Sequence, residues 1–117
     1  MNYIVLDFEF NQTTNFPEYY NQNQQHITRE IIEIGAIKLS SDLTTIDTYQ
    51  SFIKPIVPNH KSVDGLSFNQ IYSNFFDWIG TEQYALCVWS RNDLRCLIKN
   101  CNFHNINIDD NIKYIDI

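Results

Sequence analysis

Two long apolar runs, neither with a polar parity, dominate the first third of the chain. Tyr3, Ile4, Val5, Leu6, Phe8 and Phe10 leave neither side of a strand polar, a pattern that suits the middle of a sheet covered on both faces. Glu30–Leu39 (EIIEIGAIKL) is the second run, and its isoleucines predict another buried strand. Ser40, Ser41 and Asp42 supply turn chemistry, and Thr44–Lys54 predicts a third strand closed by Pro55. Short connections between these three strands predict an antiparallel meander. Gln12–Arg29, rich in Asn, Gln and Thr, is predicted as a loop whose aromatics pack locally or stack on a base.

Beyond the irregular stretch Pro55–Gly65, the period changes. Ser67 and Gln70 form a capping box, Phe68, Ile71, Tyr72, Phe75, Phe76 and Ile79 follow at helical spacing, and Gly80 stops the helix. Tyr84–Ser90 predicts a fourth strand. A second helix runs from about Asn92 with Leu94, Leu97, Ile98 and Cys101 as its apolar stripe. Phe103–Asn111 is then a polar connector, and Lys113–Ile117 a short last strand. The order β-β-β-α-β-α-β predicts an α/β fold: three antiparallel strands extended by two parallel strands through crossover helices.

Length and composition narrow the class. At 117 residues with 44% hydrophobic and 15% aromatic content, the chain is expected to be one domain, 1–117, with a real core. No apolar stretch is long enough to span a bilayer, and the N-terminus lacks the features of a signal peptide. Cys87, Cys96 and Cys101 lack the paired spacing of a zinc site and read as reduced residues of a cytoplasmic protein. The net charge of −6 argues against a broad phosphate-gripping surface.

The chemistry begins with Asp7 and Glu9, which interrupt the first apolar run. Side chains alternate along a strand, so the two carboxylates point the same way from Cα atoms roughly 6–7 Å apart. Like charges at the end of a buried strand repel unless a cation sits between them, and Mg²⁺ or Mn²⁺ takes oxygen ligands at such spacing. The plain alternative is that the strand surfaces at Asp7 and both acids are solvated. A third acid, Asp93 in WSRND, stands where the fourth strand hands over to the second helix, and strand ends of this kind build sites in α/β sheets. Its plain alternative is a helix cap.

D-x-E on the first strand, an EIIEIGAIKL second strand, an F-I-K-P end to the third, and W-x-x-x-D before a helix together resemble the DnaQ-like, or DEDD, 3′–5′ exonucleases, in order along nearly the whole chain. The resemblance implies a ribonuclease-H-like fold. It also implies metal-dependent hydrolysis of phosphodiesters at 3′ ends of single-stranded DNA or RNA. Asp7 and Glu9 then match the first motif and Asp93 the second, holding one or two Mg²⁺ or Mn²⁺ ions. Phe8, Phe10 and Asn11 are the expected nucleic-acid contacts.

The family's third motif, a His or Tyr followed by a fourth Asp on a final helix, has no counterpart before Ile117, and the stretch between Pro58 and Ser67 is short. The chain is therefore expected to be a truncated domain. His26 and Asp116 are the auxiliary candidates, His60 a weaker one, and His104 is expected as a surface or capping residue at the far sheet end. An uncovered sheet face implies a homodimer or hetero-complex. The alternative function is a catalytically silent binding or inhibitory protein on the same fold, such as a phage-type antagonist of a host nuclease system.

Overall fold

The computed structural model describes residues 1–12, 27–56, 65–108 and 112–116. Most of the predicted Gln12–Arg29 loop and the stretch 57–64 lie outside these, and with them His26 and His60. The elements are β1 (Asn2–Gln12), β2 (Arg29–Leu39), β3 (Thr45–Phe52), α1 (Phe68–Ile79), β4 (Tyr84–Val88), α2 (Arg91–Phe103) and β5 (Lys113–Asp116). They form one five-stranded mixed sheet in the order β3-β2-β1-β4-β5. β1, β2 and β3 pair antiparallel, whereas β4 runs parallel to β1 and β5 parallel to β4, as the element order predicts. Among the described residues, no helix is long and apolar enough to cross a membrane.

Alternation along the strands decides what is buried. Ile4, Leu6 and Phe8 of β1, Ile34 and Ala36 of β2, and Leu86 and Val88 of β4 face one way. They pack in a single cluster with Phe68, Ile71, Phe75 and Ile79 of α1 and with Leu97 and Cys101 of α2. Both helices therefore cover the same side of the sheet. The predicted cover on both faces is not met among the described residues, because the odd-numbered positions of β1 meet no helix. Val5 is half-buried and Asp7 and Glu9 are exposed.

α1 begins and ends as its sequence specifies. Ser67 Oγ accepts from the Gln70 N–H, Gln70 Oε1 accepts from the Ser67 N–H at 3.1 Å, and Gly80 closes the helix at φ 86°. α2 starts without a side-chain cap at Ser90 and runs to Phe103, so the predicted connector begins later than its sequence suggests.

The β1–β2 ladder carries one irregularity. Glu9 pairs with Glu33 but Phe10 with Ile31, so Ile32 is an extra residue in β2. The bulge explains why Ile31, Ile32 and Ile34 are all buried although they do not alternate. Beside the bulge, α2 supplies partners to backbone groups of β2. Asn100, fully buried, accepts from the Ile31 N–H at 2.9 Å and donates through Nδ2 to the carbonyls of Arg29 at 2.9 Å and Cys96 at 2.7 Å.

His104 caps the C-terminus of α2, as one of its two expected roles. Its ring stacks on Phe68 with centroids 4.5 Å apart and packs edge-on to Phe103. Burial pushes its pKa down to about 4. A folded pKa below the unfolded value means that only the unfolded chain takes a proton between these two limits. The stabilisation is thus complete above the unfolded pKa and lost as pH falls toward the folded one. Because the His104 ring is partly solvated, wild type is expected to lose only about 1–2 kcal/mol more than His104→Phe between pH 7 and pH 4. Paired thermal melts across that range check it, and parallel curves would refute it.

Candidate functional site

The strand register arranges the uncovered face in rows. Thr48, Ile37, Val5, Cys87 and Ile115 form one row across all five strands, mostly apolar. In the next row toward the C-terminal end of β1 stand Gln50, Gly35 and Asp7. The row beyond holds Phe52, Glu33 and Glu9. Carrying the parallel β1–β4 register two residues further sets Trp89 beside Asp7, and Asp7, Glu9, Glu33, Gly35, Gln50 and Trp89 all line one open groove. Gly35, with no side chain, leaves the floor of this groove low next to Asp7.

Asp7 and Glu9 thus share one side of β1 at its C-terminal rim, as alternation predicts, and both are exposed. Glu33 was missed by sequence reasoning. It faces Glu9 directly across the ladder, where paired residues stand about 4.5–5.5 Å apart at Cβ. Its Oε1 accepts from Gln50 Nε2 at 3.1 Å, a bond that orients this carboxylate toward β3. A charge inside an apolar strand was the available signal; the partner across the ladder needed the register.

Asp93 lies in the first turn of α2, half-buried, just past the strand that neighbours β1. Its N–H donates to the Ser90 carbonyl at 3.1 Å, so Ser90, not Asp93, holds the cap position. An acid in a first turn also suits the helix dipole. Asp116, at the end of β5, forms an ion pair with Arg91, Nε to Oδ2 at 3.5 Å; both are substantially exposed.

The residues expected to touch nucleic acid divide. Phe8 is 7% exposed and belongs to the core under the helices. Asn11 is buried and donates to Glu30 Oε1 at 3.3 Å, while Glu30 Oε2 accepts from the Ile56 N–H at 2.7 Å. These two serve the interior of the fold. Phe10 is half-buried, and the Arg29 guanidinium stands over its ring at 5.6 Å.

Among the described residues, no three His, Cys, Asp or Glu side chains converge closely enough to hold a metal ion. Asp7, Glu9 and Asp93 share a rim but are not gathered as one ligand set. What the rim offers is an exposed pair of carboxylates. Mg²⁺ is commonly held by one or two carboxylates completed by substrate phosphate and water, and the pair fits that arrangement rather than a closed protein cage. The cysteines are free, with Cys87 and Cys101 buried, and burial pushes the Cys101 thiol up to about 12, which leaves it unreactive at neutral pH.

No protein-family model matches the chain, and no curated protein matches it.

Proposed function

We propose that this chain is a metal-dependent 3′–5′ exonuclease, hydrolysing phosphodiesters at 3′ ends of single-stranded DNA or RNA on a ribonuclease-H-like fold. One observation supports it above the rest: the parallel β1–β4 pairing sets the Asp7–Glu9 rim beside the β4–α2 junction that carries Asp93. Motifs far apart in sequence are thereby brought to one end of the sheet, where α/β folds build their sites.

In this reading Asp7 and Glu9 would hold a divalent ion, which would supply charge stabilisation and water activation at the terminal phosphate. Asp93 acts from the helix start as an outer carboxylate. Trp89, 59% exposed and lining the groove with Asp7, offers a flat apolar surface on which a terminal base stacks. The acids repel a nucleic-acid strand until a cation offsets them, so activity requires added Mg²⁺ or Mn²⁺. Incubation of 5′-labelled single strands with Mn²⁺ is expected to give stepwise shortening from the 3′ end, stopped by EDTA and by a blocked 3′ terminus. Strands that stay intact across a metal titration would overturn the reading.

A second reading is favoured by the apolar content of the uncovered face. Ile37, Phe52, Trp89 and Ile115 are each more than 40% exposed. A catalytically silent binding or inhibitory protein would use them to seat a protein partner or a second copy. Intact strands combined with concentration-dependent dimerisation in light scattering would favour this reading.

A further inference from the structure

On the other side of the β1–β2 ladder's C-terminal rim lies a cleft of about 270 Å³ that the acid groove does not share. Arg29 enters it from the start of β2; Asn92, Arg95, Cys96 and Lys99 enter from α2. The four α2 residues follow the three-and-four spacing of a single helix face. Asn100 bonds the Arg29 carbonyl and so fixes helix against strand, making the convergence of the cations a property of the fold.

Three of the chain's eight Lys and Arg residues meet here, in a molecule of net charge −6. Among the described residues, none of the three is in an ion pair, whereas Arg91 pairs with Asp116. Arg95 and Lys99 lie four apart on α2, where like charges destabilise a helix. Among the described residues, no acidic side chain lines the cleft. The floor is the buried Ile27, and Thr28 and Asn92 add neutral hydrogen-bonding groups. Phe10, under the Arg29 guanidinium, carries the apolar surface up to this edge.

We propose that this cleft binds phosphate groups of a single-stranded nucleic-acid backbone, holding the strand while its 3′ end reaches the acid groove. The nucleic-acid identity of the ligand rests on the exonuclease reading; the anion site rests on the cations. Phosphates are the fitting occupant because Arg forks match their oxygens and because successive backbone charges match three cations along a cleft.

The test is fluorescence anisotropy of a labelled oligothymidylate in EDTA, where hydrolysis cannot proceed. Three phosphate contacts are expected to weaken wild-type binding about 20-fold between 50 and 200 mM salt, and the Arg95→Ala/Lys99→Ala variant only about 3-fold. At low salt the double variant is expected to bind at least about 10-fold more weakly, while Lys113→Ala, at the other sheet end, matches wild type. Circular dichroism confirms that the exposed substitutions leave the fold intact. A double variant with unchanged affinity and salt slope overturns the proposal, as does an equal loss in Lys113→Ala. Orthophosphate that displaces the strand as readily as a short oligonucleotide does overturns the backbone as occupant. Binding that needs Arg95 and Lys99 without any shortening in Mn²⁺ sinks the enzyme and keeps the cleft. Shortening with binding indifferent to that pair does the reverse.

Discussion

Asp7→Ala is expected to lower strand shortening by at least about 10³-fold while leaving the melting temperature unchanged or slightly raised. The two readouts part because of where Asp7 sits. It is exposed at the rim, with Glu9 on the same side of its own strand and Glu33 one row further along. Among the described residues, no hydrogen bond or ion pair of the fold depends on its carboxylate, and Gly35 opposite it presents no side chain. Removing one of several neighbouring negative charges relieves repulsion, which favours folding by a few tenths of a kcal/mol. A carboxylate kept for structure would show the opposite pairing, with stability lost. Shortening assays beside calorimetric melts of the same preparations check both halves. Activity retained within about 3-fold would remove Asp7 from the chemistry.

Asn100→Ala is expected to destabilise the fold by about 3–5 kcal/mol, because it leaves buried partners on both sides unpaired and opens a cavity. The Ile31 N–H and the Arg29 carbonyl lose their Asn100 partner beside the bulge. For a domain of this length the melting temperature falls on the order of 10–20 °C. Asn100→Leu restores much of the volume but none of the bonds, so it separates the two causes; it is expected to melt nearly as low. Asn102→Ala, exposed on the same helix, is expected to stay within about 0.5 kcal/mol of wild type. Equal melts for the Asn100 and Asn102 variants would show that the bonds across the bulge contribute nothing.

Much of this architecture was legible from residue patterns, for identifiable reasons. The Ser67–Gln70 box and the stripe from Phe68 to Ile79 are local signals, read within two or three turns, and α1 follows them. The meander and the parallel β4 followed from short connections and crossover helices. The bulge at Ile32 was not legible, since nothing in EIIEIGAIKL marks which isoleucine is extra. That one residue hid two things. It concealed that Glu33 faces Glu9, and that the buried Asn100 belongs with β2 and not on the polar side of its helix. Phe8 and Asn11, expected as nucleic-acid contacts, are instead buried. Strand parity sends Phe8 under the helices, and Glu30 takes Asn11. The cationic cleft joins Arg29 to Arg95 and Lys99, more than sixty positions on, and no local pattern carries such a distance.

The position of β1 at the centre of the sheet has a consequence during synthesis. β2 and β3 follow it closely, so a three-stranded meander can assemble early. The other edge of β1 is paired by β4, whose Tyr84 meets Asn2. At about 5–20 residues per second, a ribosome needs roughly 4–16 seconds to supply that partner. For that interval a nascent chain carries a bare, apolar strand edge beside Ile4 and Leu6, open to pairing with a neighbouring polypeptide. Slow translation between β3 and β4 therefore lengthens exposure of the segment most prone to association, and chaperone demand should track the codons there.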